Sequence, residues 1–271
     1  VPIGASKLTA EAFRNRLDRE KAEGDITITI VSNDSRMDSE RDVVNEVYGD
    51  RENLPFDVRV HRDLREAELR EVLKAQTEFF HYIGHTEHDG LECADGKLDL
   101  TTLDNTGVDA FLLNSCKSYE QGLALIKSGA IGGIVTLSEI VNDEAVHMGE
   151  IIARLLNAGF PLRPALTIAR EESILGGQYL VIGDGGMTVS QPESKTPNLV
   201  ELDYNSGSFD VTIDMYPTDE TSMGSITIPY IGCQDEYFLN SSKSKFSDIS
   251  EEEVIQYLEL EQVPVRINDN L

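Results

Sequence analysis

The sequence predicts an α/β fold, a mostly parallel sheet with helices on both faces, followed by a small β-rich C-terminal region. Three observations predict it. Short β-branched or aromatic runs alternate with segments of helical apolar spacing from about residue 26 to residue 184. Beyond a polar, proline-containing stretch, QPESKTPN, the pattern changes to short alternating runs at hairpin spacing. The chain, 271 residues long and 40% hydrophobic, also has enough apolar material for a sizeable core.

The elements follow in order. Residues 8–22 have amphipathic helical spacing, with Ser6 or Thr9 as cap and Gly24 near the end. In ITITIVSND, Ile26, Ile28 and Ile30 alternate with threonines before a polar loop, which predicts a first strand. A helix over 38–48 precedes a second strand, FDVRVH (56–61), and LREAELREVLKA (64–75) is a crossover helix. FFHYIG (79–84) is the third strand, and GLECADGKLDL is a hairpin turning at Asp95-Gly96. FLLNSC (111–116) is the fourth strand, and residues 118–129 are a helix ending at Gly129. GGIVTLS (132–138) is the fifth. Asn142, Asp143 and Glu144 open a helix that runs to Gly159. A short helix (164–171) leads to the sixth strand, GQYLVIGD (177–184).

After the linker, LVELDY, SFDVTIDMY, GSITIPYI and EYFLN read as short strands. Ser250 and Glu253 form a capping-box pattern that opens a last helix. The expected division is 1–190 for the α/β domain and 191–271 for the β-rich appendage with one helix.

Charge narrows the setting. Acidic residues (49) outnumber basic ones (23), for a net charge of −26 spread along the whole chain. A uniform excess of this kind suits a high-salt cytoplasm such as that of a halophilic archaeon. There the Debye length falls to about 3 Å at 1 M and self-repulsion is screened. Only nine of the basic residues are lysine, which agrees. No basic stripe exists to neutralise phosphates, so nucleic acid is not an expected partner. No apolar run approaches the roughly 18 residues of a membrane-spanning helix, and the polar N-terminus does not read as a signal peptide. Val1 in place of an initiator methionine leads us to expect a larger parent chain. Three cysteines do not make a disulfide framework and leave at least one free.

The chemistry gathers at two strand ends. One apolar run stops at His85 and another at Cys116. In an open α/β sheet ligands bind beyond the carboxyl ends of the strands. Cys116 precedes a helix start at Ser118, whose N-terminus favours a thiolate, with weak help from Lys117. Gly84 lets the backbone at His85 turn tightly. An imidazole within reach of the thiol can take its proton and later protonate a leaving amine. The backbone N–H groups of Cys116 and of Thr86, just after His85, are natural oxyanion donors. A buried structural Cys and a surface His would look the same in sequence, and spacing alone leaves both readings open.

YIGHTEHDG together with FLLNSCKSYEQGLALIKSGAIGGIVTLSEIVNDEA resembles the CHAT family of caspase-like cysteine peptidases. The resemblance runs from about Ile26 to Asp184. It implies a caspase-like six-stranded sheet of order 2-1-3-4-5-6, with strands three and four side by side. It also implies His85 as general base or imidazolium partner, Cys116 as nucleophile, and peptide-bond hydrolysis through a thioester acyl-enzyme. Sensor or other regulatory domains in the parent chain and a protein or peptide substrate follow from the same resemblance.

Two positions depart from the family pattern. Thr86 stands where many members have Gly. Asn114 stands where relatives that cleave after Arg or Lys often have Asp, and a neutral amide cannot fully pair a buried cation. Asp34, past the first strand, is the other candidate for a specificity pocket.

Competing readings are fewer. His81, His85, His88 and Cys93 match no clean zinc-ligand spacing, and neither a metal nor a cofactor is expected. GDGG (183–186) lacks a Walker lysine and reads as a turn. Cys93 and Cys233 are bystanders, and His61 and His147 are surface or helix-face residues. Two further functions stay on the table. One is a non-catalytic interaction or scaffold module that keeps the fold, and the other is hydrolysis or acyl transfer on a non-peptide amide.

Overall fold

The computed structural model describes residues 5–19, 25–33, 41, 44, 47–48, 56–87, 89–173, 176–191, 196–205, 207–219, 221, 224–232, 238–239, 243–260 and 263–267. The chain divides into two units, Val1–Asn157 with Leu162–Val189, and Ala158–Pro161 with Ser190–Leu271.

The first unit is built on a mixed sheet. Its strands are β1 (Ser6–Lys7), β2 (Ile26–Ser32), β3 (Phe56–Arg62), β4 (Thr77–Ile83), β8 (Val108–Asn114), β9 (Gly132–Thr136) and β10 (Tyr179–Gly183). A separate three-stranded meander, β5 (Thr86–Glu87), β6 (Gly90–Cys93) and β7 (Gly96–Leu98), is inserted after β4. The helices are α1 (Ala10–Asp18), α2 (Glu66–Lys74), α3 (Tyr119–Ser128), α4 (Asn142–Asn157) and α5 (Leu162–Glu171). Residues 41, 44, 47 and 48 are also helical.

Across the large sheet the order is β3-β2-β4-β8-β9-β10-β1. Seven strands replace the expected six, because the two-residue β1 adds itself to the far edge. Strands β3, β2, β4, β8 and β9 are parallel, whereas β10 runs antiparallel to β9 and β1 parallel to β10. The reversal has a simple cause. A single crossover helix returns the chain to the starting edge of the sheet and yields a parallel strand. Two consecutive helices, α4 and α5, bring it back to the edge it left, so β10 must run the other way.

Both faces of the sheet are covered, which is why its central strands are apolar almost without interruption. On one face Phe80, Tyr82, Phe111, Leu113 and Val135 pack against Ala12 of α1, Leu69 and Leu73 of α2, and Leu125 and Ile126 of α3. On the other, Ile28, Ile30, Phe79, His81 and Leu112 are fully buried. Tyr48 meets Phe79 there, with ring centroids 5.8 Å apart. Helix boundaries follow local chemistry. Thr9 caps α1 by accepting from the Ala12 N–H, and Gly129 closes α3 at a φ of 128°.

The second unit holds a four-stranded sheet of order β15-β12-β11-β16. These strands are β11 (Asn198–Asn205), β12 (Ser208–Met215), β15 (Lys243–Ile249) and β16 (Val265–Ile267). A two-residue pair, β13 (Ile226–Thr227) with β14 (Phe238–Leu239), is all that the described residues show of the expected GSITIPYI and EYFLN strands. Helix α6 (Glu251–Leu260) adds Val254 and Tyr257 to a core with Val200, Leu202, Val211, Ile213 and Phe246. Ser250 and Glu253 form the reciprocal capping bonds, Ser250 N–H to Glu253 at 3.0 Å and Glu253 N–H to Ser250 at 3.3 Å.

Candidate active site

His85 is held by its backbone. It follows β4 after Gly84, and the Tyr82 ring folds beneath that glycine, where a Cβ would come within 2.8 Å of the Tyr82 hydroxyl. That hydroxyl lies 3.0 Å from the His85 carbonyl and 2.9 Å from the Glu92 carbonyl. The Glu92 N–H also donates to the His85 carbonyl at 2.9 Å. From the end of β2, the Asn33 amide donates to the Glu92 carbonyl at 2.8 Å, and the Asn33 backbone N–H donates to Ile83 at 2.9 Å. The meander is thereby pinned to two neighbouring strand ends.

Thr86 pairs with Leu91 across β5 and β6. The bond from the Glu92 N–H to the His85 carbonyl flanks that pair, which makes it the non-hydrogen-bonded type of antiparallel pair. The Thr86 N–H therefore points away from β6 and is not consumed by the ladder.

Cys116 lies in a tight turn two residues past β8, not at the end of the strand as its apolar run predicts. Lys117 has a φ of 53°, a left-handed conformation that costs a non-glycine residue about 1 kcal/mol or more. The turn is held by hydroxyls. Ser118 donates to the Leu113 carbonyl at 3.0 Å and accepts from the Thr136 N–H at 3.0 Å. The Thr136 hydroxyl in turn donates to the Ser115 carbonyl. On the open side, the Lys117 N–H donates to the Ser138 carbonyl at 3.2 Å. The Ile140 N–H donates to the Cys116 sulfur at 3.3 Å, and the thiol faces the Ile140 carbonyl at 3.7 Å. The Lys117 ammonium is paired with Glu139 at 2.8 Å.

His85 and Cys116 line one small, partly open cleft. Gly84, Asn114, Ser115, Ile140, Asn142 and Ala145 complete its lining. A buried hydrogen bond joins the hydroxyls of Thr86, the residue after His85, and Ser115, the residue before Cys116, 2.5 Å apart.

Asn114 lines this cleft, but its amide is engaged at both ends. It donates to the Ala145 carbonyl at 2.7 Å and accepts from the Tyr179 hydroxyl at 2.7 Å. Asn142, expected as a cap, is the first residue of α4, and its amide makes no hydrogen bond among the described residues. Asp34, His88 and Cys233 lie outside the described residues. His81 is fully buried in the sheet beside Phe79, and Cys93 is buried in the meander, where desolvation pushes its thiol up to about 11. No metal-binding cluster of His, Cys, Asp and Glu occurs among the described residues. Neither His61 nor His147 lines the cleft.

Three of these lining residues, Ile140, Asn142 and Ala145, were missed in sequence as site residues. Ile140 comes from the connection between β9 and α4, and Asn142 and Ala145 from the first turn of α4, where the chain leaves the same sheet edge as the Cys116 turn. The strand-to-helix signal at residues 136–145 was the clue available.

No family model matches the chain, and no curated protein matches it. Solved structures do. The fold is similar to that of gingipain R. The Arg-specific cysteine proteinase gingipain R (RgpB) aligns with a TM-score of 0.51 and 12% identity over 76% of this chain and 60% of its own. The complex of Porphyromonas gingivalis RgpB pro- and mature domains gives 0.51 and 10% over 75% and 60%. Saccharomyces cerevisiae separase, in complex with securin, gives 0.46 and 12% over 60% of this chain and only 12% of its own. The chain thus spans about three-fifths of gingipain R and a small part of separase. At these identities the likeness is one of fold alone.

Proposed function

We propose that this chain is a cysteine endopeptidase of the CHAT type, working through a His85–Cys116 dyad. The observation that carries the reading is the single cleft lined by both residues, with the sulfur accepting the Ile140 N–H at 3.3 Å. In this reaction His85 takes the Cys116 proton, and the thiolate attacks the peptide carbonyl carbon. The oxyanion is held by the N–H groups of Thr86 and Cys116. The orientation of Thr86 in its non-hydrogen-bonded pair supports that role, as does the Cys116 N–H, which has no partner among the described residues. The C–N bond breaks as the imidazolium protonates the departing amine, leaving a thioester. Water, deprotonated by His85, then attacks the thioester, releasing the carboxylic acid and restoring the thiol.

The net charge of −26 supports action in the salt-rich cytoplasm of a halophile. The resemblance to the CHAT family supports reading the chain as a regulated effector module within a longer parent chain.

The test is alkylation of the native protein in high salt by a thiolate-directed reagent. Cys116 is expected to react faster than Cys93, whose buried thiol is hard to ionise. His85→Ala is expected to slow the Cys116 reaction. Equal rates at the two cysteines, or a rate indifferent to His85→Ala, would sink the dyad and favour a non-catalytic scaffold.

A further inference from the structure

Once the peptidase reading above is granted, the surroundings of Cys116 bear on how the site is regulated. Residues 137–141 form a short strap between β9 and α4. It meets the nucleophile turn at two neighbouring residues. The Lys117 N–H donates to the Ser138 carbonyl at 3.2 Å, and the Lys117 ammonium pairs with Glu139 at 2.8 Å. At Cys116, Ile140 engages the thiol through both of its backbone groups. Its N–H lies 3.3 Å and its carbonyl oxygen 3.7 Å from the sulfur. The thiol hydrogen is therefore directed at a backbone carbonyl, whereas the proposed reaction needs it on the path to His85.

Space agrees with this. The cleft lined by His85 and Cys116 has a volume of about 10 Å³, room for about one water. Attack requires a peptide carbonyl about 3–3.5 Å from the sulfur, and a peptide unit does not fit where one water does. The strap itself is held lightly. Ile140 is its buried residue, while Leu137, Glu139 and Val141 are exposed. Its outer anchor is Gln178. That side chain accepts from the Ser138 hydroxyl at 2.6 Å, and the Gln178 carbonyl accepts from the Leu137 N–H at 2.8 Å. A segment held by a few polar contacts and one buried side chain opens locally at far lower cost than the core.

We infer that this conformation is latent, with the strap of residues 137–141 closed over Cys116, and that a peptide reaches the sulfur only after the strap moves away. Opening releases the thiol from Ile140 and widens the cleft where Ile140 now lies. The Lys117–Glu139 pair and the Ser138–Gln178 bond act as latches on the strap. Neither Ser138 nor Glu139 lines the cleft, so both can be changed without altering its walls or the thiol.

The experiment uses the intact chain in high salt with two reagents, iodoacetamide and a peptide acyloxymethyl ketone. The readout is the rate of Cys116 modification by mass spectrometry. The double variant Ser138→Ala with Glu139→Gln removes both latches. It is expected to raise the peptide-ketone rate about three- to tenfold, as the loss of side-chain bonds that hold the closed state would, and the iodoacetamide rate less. Lys117→Gln is expected to raise the ratio of the two rates as well, because the charge it removes acts on both reagents alike. A ratio that neither variant raises would overturn the inference, whether both rates rise together, both fall or neither moves. A joint rise would report a looser fold and not an opened strap. Adding His85→Ala separates this from failure of the peptidase reading. If it slows both reagents while the latch variants leave the ratio unchanged, the peptidase reading stands and the strap is lost. If it leaves the Cys116 rates unaltered in the parent and in the double variant, the dyad fails and the inference falls with it.

Discussion

The hydroxyls of Thr86 and Ser115 lie 2.5 Å apart, so one buried hydrogen bond joins the residue after His85 to the residue before Cys116. Thr86 belongs to the meander and Ser115 to the turn after β8. Their bond ties the backbone carrying the imidazole to the backbone carrying the thiol. Thr86 stands where the resembled family often has glycine, and its hydroxyl supplies a link that glycine lacks.

Removing one partner strands the other. Thr86→Val leaves the Ser115 hydroxyl buried without a partner, which costs about 1–3 kcal/mol. The expected result is a lower urea midpoint together with slower modification of Cys116 by the alkylating reagent. Thr86→Ser, which keeps the hydroxyl, is expected to stay close to the parent in both. The double variant Thr86→Val with Ser115→Ala is expected to recover part of the lost stability, since neither polar group then lacks a partner.

Gly84 and Tyr82 are coupled by close contact. A Cβ at position 84 would meet the Tyr82 hydroxyl at 2.8 Å and its Cζ at 3.0 Å. Gly84→Ala must displace the ring, and with it the hydroxyl that meets the His85 and Glu92 carbonyls. Overpacking of this kind costs about 1–3 kcal/mol. Tyr82→Phe removes the nearest clashing atom, so Gly84→Ala is expected to be less destabilising in that background. Urea unfolding of the four proteins in the cycle measures the difference. Strict additivity of the two changes would show that the contact does not couple them.

Much of this architecture was legible in the sequence, for physical reasons that can be named. Strands buried on both faces must be apolar, so FFHYI and FLLN announced β4 and β8, and those two strands set His85 and Cys116 at one edge. The capping box at Ser250 and Glu253 was local chemistry and needed no tertiary information.

The misses have causes as well. β15 was invisible because only Phe246 and Ile249 of KSKFSDI present large apolar groups to the core. Opposite Phe209 and Val211, those two residues are three apart and not two. A register shift of that kind destroys the alternation by which a strand is read. β1, two residues long, carries no period at all. In the cleft, the Thr86–Ser115 bond joins positions 29 apart in the chain, and only the fold brings them together.

Salt dependence follows from the charge. With a net charge of −26, repulsion among surface carboxylates opposes the compact state at low ionic strength. Raising KCl from about 0.1 M to about 1 M shortens the Debye length from about 10 Å to about 3 Å. The thermal midpoint is expected to rise across that range. Sodium chloride at matched ionic strength is expected to do the same, as screening does not depend on the cation. A midpoint that falls or stays flat would remove the halophile reading.

Asp109 gives the fold a pH dependence of its own. It sits at the amino end of β8, nearly buried, with the Arg19 guanidinium 2.7 Å away and Gln76 at 3.5 Å. Desolvation raises its pKa from 3.8 to about 6, with Arg19 acting against the rise and Glu78 adding to it. In the unfolded chain the carboxyl ionises near its ordinary value. Between about pH 4 and pH 6, then, the folded state holds more protons than the unfolded one, and stability falls as pH rises. The stabilisation is fully present below the ordinary carboxyl pKa and is lost by the time pH has passed the folded value. The slope is at most about 1.4 kcal/mol per pH unit for this one group. Asp109→Asn removes the titration. The stability of the parent minus that of the variant, from urea curves at each pH, is expected to decline from pH 4 to about 6.5 and then level off. Arg19→Met takes away the opposing charge and is expected to push the end of that decline to higher pH. A difference curve without slope in this window, or one that rises, would mean that Asp109 ionises as readily in the fold as outside it.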